Sequence, residues 1–353
     1  GAGQAAGGEQ LVLIRFDGSG AALAFASPKH ELLVKAIRSA RARYATHTAA
    51  PAVAERAIRP ADVPGTLLNV ALLNCGSESA TLRISAYRML ISVVATFNMD
   101  VGQELAFASD LCLPPNPLQF IFRICTRLSQ TAPDMTQELL AEALLAFTKS
   151  TGSTKAWILH YVQPWLRALG QFTHNSEAHP DAVARTQDIV RSLARLHLKE
   201  PGMYMHFKEH VWSLLAEVDE LTDVVLDTLV AVALEYGALT VEAELIADVL
   251  ATAAGRNARY NKLVPRLRKL VAHTCTLSVS HIATHQLWPE IAVYMRLLLT
   301  ISFSNTSLAE EYLPDIAFVT CMLLKAGPGL VQATLHGTVM HVVHSLALTQ
   351  CNG

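Results

Sequence analysis

Apolar residues recur at three- and four-residue intervals through most of the chain. Ile189, Leu193 and Leu196 share one helical face, and Leu226, Leu229 and neighbouring apolar residues share another. This spacing is typical of amphipathic α-helices. Polar or Gly/Pro breaks separate runs of about 12–20 residues, within the usual range of helix lengths. From residue 63 onward, the pattern therefore predicts a succession of helices.

The predicted helix starts recur at a regular interval. Grouped in pairs, the helices begin near Ser79, Asn116, Thr154, Met203, Thr240, His285 and Gly329. The interval of about 37–49 residues overlaps the period of about 40–47 residues found in HEAT and armadillo repeats. One pair alone leaves its apolar stripe in water, whereas stacked pairs bury it. For residues 63–350 we predict an all-α fold, a HEAT/armadillo-type α-solenoid.

The first 45 residues follow a different pattern. Two apolar runs, 11–16 and 21–26, flank the turn signal Asp17-Gly18-Ser19-Gly20 and predict a β-hairpin. Ser27 and Pro28 then begin a predicted helix that reaches Tyr44. A hairpin and one helix are too small to be stable alone. We therefore interpret residues 1–45 as the end of a larger domain and residues 46–62 as a linker.

Composition excludes two classes of protein. The chain is 51% hydrophobic and 16% charged, with 28 Lys+Arg against 30 Asp+Glu and a net charge of −2. Intrinsic disorder requires low hydrophobicity and high net charge, and a dedicated nucleic-acid binder requires excess positive charge. No signal peptide is visible, and the longest stretch without Asp, Glu, Lys or Arg, 326–353, is too polar to span a membrane. We expect a soluble, cytoplasmic chain.

No motif indicates chemistry. Nucleotide-binding loops, zinc-protease signatures and nucleophile elbows are absent from the sequence. The pairs His281/His285 and His341/His344 have no further ligand at a suitable spacing, and the six cysteines are scattered as expected for buried, reduced thiols. We therefore predict no catalytic residue, no cofactor, no metal site and no enzymatic activity.

Charge is unevenly distributed in the second half of the chain. Ten Asp/Glu and no Lys or Arg lie between residues 209 and 255. The stretch 256–289 has no acid and six bases: Arg256, Arg259, Lys262, Arg266, Arg268 and Lys269. These bases could dock on anionic lipid or an acidic partner, or adjacent repeats could carry complementary charges. Both interpretations remain open from sequence, and Pro265 is expected to interrupt the basic stripe.

The segment 58–77, IRPADVPGTLLNVALLNCGS, closely resembles part of the neurofibromin-type Ras GTPase-activating proteins. The resemblance continues through Ser302-Phe303-Ser304-Asn305 and Gly327-Pro328 and covers roughly residues 10–350. It implies that residues 1–45 end a pleckstrin-homology-like domain and that residues 63–350 begin a HEAT/armadillo array. We expect a structural role for the junction residues Pro64, Gly65, Leu67, Leu68, Ala71 and Leu72.

The resemblance also implies a function. The family inserts an arginine finger from a separate domain into the Ras site, and Phe122-Arg123 lacks the surrounding signature of that motif. We therefore expect a non-catalytic scaffold that positions the GTPase-activating and lipid-binding modules and supports homodimerisation. Its partners would be the rest of a neurofibromin-like chain and, indirectly, Ras. The alternative is a peripheral docking module that uses the basic stretch 256–269 at membranes.

Overall fold

The computed structural model describes residues 3–4, 10–15, 22–27, 31, 34–35, 63–102, 105, 116–175, 181–274, 286–305, 307–324 and 326–351. The chain divides into two compact units, which are Gly1–Arg59 and Pro60–Gly353. In the first unit the described residues form strands and a few helical positions. In the second unit the regular structure of the described residues is helical.

The first unit contains a small antiparallel sheet. Its strands are β1 (Gly3–Gln4), β2 (Gln10–Arg15) and β3 (Ala22–Ser27), in the order β1-β2-β3. Strands β2 and β3 match the two predicted apolar runs, whereas β1 was not predicted. The turn at 17–20, most of the helix expected up to Tyr44 and the linker lie outside the described residues. Three short strands do not support a pleckstrin-homology-like assignment by themselves.

The second unit is a long series of helices. The first half comprises α1 (Val63–Cys75), α2 (Ala80–Thr96), α3 (Pro117–Thr131), α4 (Thr136–Lys149), α5 (Gly152–Tyr161), α6 (Gln163–Ala168) and α7 (Ala182–Lys199). A segment of mixed helical geometry follows, with α8 (Tyr204–Phe207), a π-helical turn (Lys208–Trp212) and α9 (Ser213–Ala216). The second half comprises α10 (Thr222–Tyr236), α11 (Val241–Arg256), α12 (Leu263–Thr274), α13 (Trp288–Ser304), α14 (Ser307–Glu311), α15 (Leu313–Leu323) and α16 (Gly329–Cys351). Short 3₁₀ turns join several of them, including Pro133–Met135, Leu169–Phe172, Asp219–Leu221 and Ala258–Lys262.

Side-chain caps explain several helix starts. Asn116 caps α3 by accepting from Gln119 N at 3.1 Å, and Thr240 caps α11 by accepting from Ala243 N at 3.2 Å. Ser79 does the same for α2 through Leu82 N. An N-cap oxygen satisfies a backbone donor that lacks an intrahelical partner. The helix starts predicted near these three residues are therefore confirmed.

Successive helix pairs stack on one another. Helix α1 packs on α4, α4 on α7, and α7 on α10, while α11, α13 and α16 form a second series and α12 packs on α15. Each of these contacts joins a helix to one from a neighbouring pair. The second unit thus has the packing of an α-solenoid, in agreement with the coarse fold class predicted from periodicity.

Polar contacts between the pairs follow the repeat interval. Hydrogen bonds join Gln137 to Thr186, Arg195 to Glu235 and Asn261 to Asn305. The partners are separated in sequence by 49, 40 and 44 positions. A separation near the predicted interval of 37–49 residues places equivalent positions of neighbouring pairs side by side. The regular spacing of helix starts therefore becomes contact between successive layers.

Glu138 is a buried charge that ties three of these helices. Its carboxylate pairs with Arg185 of α7 at 2.9 Å, and only 5% of its side chain is exposed. Gly65 of α1 approaches so closely that an added Cβ would lie 3.2 Å from the Glu138 Cβ. Removing one partner of such a pair leaves an uncompensated buried charge, so this contact fixes how α1, α4 and α7 are aligned.

His197 supports the next junction from within the core. Its Nδ1 accepts a 2.8 Å hydrogen bond from the Trp212 indole, and the Tyr204 ring meets it edge-on at 5.2 Å between centroids. Burial lowers the pKa of His197 to about 4. The ring is therefore neutral near pH 7 and packs as an aromatic side chain between α7 and the segment with mixed helical geometry.

The junction residues are buried where α1 meets the next helices. Leu68, Ala71 and Leu72 are 0% exposed. Leu67 is half-buried and packs against the same core, and Gly65 is buried against α4. The structural role expected for this segment agrees with these positions, because α1 has apolar neighbours on more than one side.

The cysteine prediction is only partly confirmed. Cys75 and Cys125 are buried free thiols, and burial raises the pKa of each to about 12. Cys321 is exposed, contrary to the expectation of buried thiols. Cys112 and Cys275 lie outside the described residues.

Within the described helices, none has the length and apolar character needed to cross a membrane.

We expect Leu68→Ala to destabilise the second unit by about 2–5 kcal/mol, because a buried leucine loses its transfer energy and leaves a cavity. The measurement is the midpoint of thermal and urea unfolding. Val70→Ala is the matched control on the same helix, since Val70 is 42% exposed. Equal effects of the two substitutions would contradict the packing of α1 described here.

Candidate interaction surface

The six predicted bases lie on three consecutive elements. Arg256 ends α11, Arg259 and Lys262 lie in the 3₁₀ turn Ala258–Lys262, and the other three lie on α12. Tyr260, Leu263, Val264 and Leu267 on the same elements are 0% exposed. Burial of this apolar face directs the intervening basic side chains to the surface.

Pro265 does not interrupt the basic stripe. It lies in the first turn of α12, which begins at Leu263. Proline is tolerated in the first turn of a helix because the backbone donor it lacks would have no intrahelical partner. The expectation of an interruption was therefore wrong, and the bases continue across the start of the helix.

Acidic residues of the preceding layer face these bases. Glu217 follows α9, Asp219 begins a 3₁₀ turn, and Asp223 and Asp227 lie one helical turn apart on α10. Residues four apart share a helical face. Side chains from the acidic and basic stretches are thereby brought opposite each other along one edge of the array.

The two sets form ion pairs that we call the charged seam. Its members are Glu217, Asp219, Asp223, Asp227, Arg256, Arg259, Lys262 and Arg266. Arg256–Glu217, Arg259–Asp219 and Lys262–Asp223 pair at 3.1, 3.2 and 3.1 Å. Arg266 reaches Asp223 at 3.5 Å and also pairs with Asp227. The seam therefore joins the layer of α10 to the layer of α12 at several points.

Ion pairs extend the seam to a further layer on each side. Glu217 also accepts from Arg167 at the end of α6, at 3.2 Å, so one carboxylate links three successive layers. Arg268 pairs with Asp315 of α15 and lies over the Phe318 ring at 5.2 Å. Lys269 is exposed. Five of the six bases thus pair with an acid of a neighbouring layer.

Solvent exposure limits the energy of the seam. The paired side chains are 29–59% exposed in the four seam contacts with Asp219, Asp223 and Asp227. Exposed pairs contribute about 0.2–1 kcal/mol each and are weakened by salt. The seam therefore specifies which layers meet and in what register more than it stabilises them.

The described residues contain no group of three or more His, Cys, Asp or Glu side chains placed to hold a metal ion. His281 and His285 lie outside the described residues. His341 packs its ring on Phe303 at 5.1 Å between centroids and approaches the Ser302 hydroxyl at 3.5 Å.

Sequence reasoning missed a groove that gathers His160, His206 and His210, because residues far apart in sequence give no local signal.

The chain is similar in sequence to inhibitory regulators of yeast, two of which are described here. No family model matches the chain. Inhibitory regulator protein IRA2 of Saccharomyces cerevisiae is 25% identical over 290 residues, which cover 80% of this chain. Inhibitory regulator protein IRA1 of the same yeast is 23% identical over 281 residues, or 78% of this chain. In each case the match spans 9% of the relative's length.

Among solved structures, the crystal structure of an engineered protein covers 78% of both chains at 11% identity. Its TM-score is 0.22, and a likeness at this level carries no argument about the fold.

We expect the double substitution Asp223→Lys/Asp227→Lys to lower the unfolding free energy by about 1 kcal/mol, because it replaces attraction to Lys262 and Arg266 by repulsion. Adding Lys262→Asp and Arg266→Asp should restore stability by reversing both sides of the seam. The measurement is urea unfolding at low salt, repeated in high salt, where the penalty should shrink.

Asp188→Lys is the matched control for this experiment. Asp188 pairs with Arg191 of the same helix at 2.8 Å, and it contributes no bond between layers. If the fourfold variant were no more stable than the double variant, the seam would not be an attractive contact between α10 and α12.

Proposed function

We propose that this chain is a non-catalytic, HEAT/armadillo-type scaffold segment of a neurofibromin-like negative regulator of Ras signalling. The observation that carries the proposal is the stacking of helix pairs along the second unit, combined with similarity to two inhibitory regulators over most of the chain. An array of stacked pairs presents an extended surface and holds its ends at a fixed separation.

The extent of the match supports a segment role. The similarity extends over 80% and 78% of this chain but over 9% of either relative. A stretch of this size in a much longer regulator would connect modules that lie before and after it. In the proposal, those modules are the GTPase-activating and lipid-binding domains that the neurofibromin resemblance implies.

The same resemblance implies a homodimer, and we include dimerisation in the proposal. We assign the first unit to the end of a pleckstrin-homology-like domain on the basis of the resemblance alone, because paired strands such as β2 and β3 occur in many domains. Ras would then be regulated by a catalytic domain elsewhere in the protein, while this segment supplies geometry.

We propose that the basic stretch 256–269 links adjacent layers through ion pairs, a role we call stapling, and that it does not dock on membranes. Five carboxylates, on Glu217, Asp219, Asp223, Asp227 and Asp315, pair with five of its six bases. Anionic membranes attract clusters of bases through their uncompensated charge. Neighbouring acids reduce that charge here, so the stretch presents little net positive potential.

The catalytic part of the proposal is tested by adding the purified chain to Ras·GTP and measuring phosphate release. We expect the rate to equal that of Ras alone, because the chain contributes no arginine finger to the transferring phosphoryl group. A fragment that contains a known GTPase-activating domain serves as the positive control. Acceleration by this chain would refute a purely structural role.

The stapling role is tested by sedimentation with vesicles that contain phosphatidylserine. We expect the chain to remain in the supernatant at low and high salt, because its bases are already paired with acids. A variant with Lys262→Gln and Arg266→Gln should behave identically. Salt-sensitive co-sedimentation of the parent chain that this variant loses would instead establish the docking module.

A further inference from the structure

A groove of about 810 Å³ lies between the α1–α2 turn, α5 and the segment 204–212. Trp157 lines it in a fixed position, since its indole Nε1 donates to Leu72 O at 2.9 Å. Its ring lies so close to Gly76 that an added Cβ would sit 2.5 Å away. One wall of the groove is therefore held by a hydrogen bond and by close packing.

Three histidines from different elements line this groove. His160 lies on α5, His206 on α8 and His210 in the π-helical turn, and the rings of the last two are 6.1 Å apart between centroids. His160 Nε2 lies 3.3 Å from Leu118 O, and burial lowers the pKa of this ring. Hydroxyl groups of Ser153 and Thr154 line the same space.

The chemistry of these side chains favours an anion over a metal. The three rings do not form a group placed to hold a metal ion within the described residues. Imidazolium and hydroxyl groups are hydrogen-bond donors, and histidine gains its positive charge between pH 8 and pH 5. A groove with several such donors matches the oxygens of a tetrahedral anion.

Two lysines on the elements that form the groove are paired with acids: Lys155 pairs with Glu200, and Lys208 pairs with Asp248 at 2.9 Å. Among the described residues, Glu78 is the acid that lines the groove. Arg83 donates to the carbonyl oxygens of Ser77 and Glu78 at 2.7 and 2.8 Å, which brings a cation to the same turn. Other charged or titratable groups on the surrounding elements include Arg123, Tyr204 and Glu209.

We propose that this groove binds a tetrahedral oxyanion, the chemistry of a phosphate monoester. His206, His210 and the hydroxyl-bearing residues supply hydrogen-bond donors, and Glu78 opposes the anion. This binding site goes beyond the scaffold function: stacking contacts such as that of Trp157 with Leu72 shape the groove, but the charged seam takes no part in it.

Calorimetric titration of the whole chain with sodium sulfate at constant ionic strength tests the proposal. We expect saturable binding, because the groove offers several hydrogen-bond donors to the sulfate oxygens. Glu78→Gln should strengthen this binding, because it removes a carboxylate from the lining of the groove. A phosphoserine tripeptide in a parallel arm distinguishes a phosphorylated partner segment from a free anion by which of the two binds more tightly.

His206→Ala/His210→Ala should weaken sulfate binding about tenfold, because it removes two imidazole donors from the groove. His174→Ala is the matched control, because His174 is exposed and is not among the described residues that line the groove. Circular dichroism establishes that each variant is folded, and Glu78→Gln replaces an exposed side chain. Absence of sulfate binding, or equal affinity of the parent chain and the double variant, would overturn the proposal.

Discussion

A helix pair of the second unit cannot bury its own apolar stripe, and this constraint governs the rest of the structure. Helix α10 illustrates it: Val230 and Val232 are almost wholly buried, although residues two positions apart point to nearly opposite sides of a helix. Such a helix needs neighbours on several sides. Stacking on α7, on α11 and on the turn before α12 provides them. The array therefore removes this apolar surface from water.

Polar contacts then select one stacking arrangement among the many that apolar burial would allow. The Glu138–Arg185 pair and the bonds of Gln137 to Ala182 O and Thr186 are satisfied in one register of α4 against α7. The charged seam repeats this arrangement between α10 and α12 at the surface. Apolar packing is tolerant of small shifts, whereas hydrogen bonds and ion pairs are lost within an ångström or two.

The scaffold and the anion groove use different parts of the same arrangement. Stacking fixes the α1–α2 turn against α5 through Trp157 and Gly76, and it brings the segment 204–212 to the other side of the groove. A site between layers can therefore respond to how the layers are aligned. The groove lies at a junction of layers, where grooves between packed helices commonly occur.

Helix content and repeat interval were accessible from sequence because they depend on local patterns. The helix starts predicted near Ser79, Asn116 and Thr240 are those that the structure shows, and the apolar period identified the buried faces. The two apolar runs near the start were likewise enough to predict β2 and β3. The exposed Cys321 shows the limit of such reasoning, because an apolar run does not reveal which of its faces meets water.

The pairing of particular residues was decided by the tertiary structure. The sequence separated ten acids from six bases but left open whether these bases were free or paired, since both arrangements place them at the surface. Stacking with an offset of 39 or 40 residues set Lys262 and Arg259 against Asp223 and Asp219. The histidine groove was likewise invisible, because residues from three elements meet there only after the layers pack.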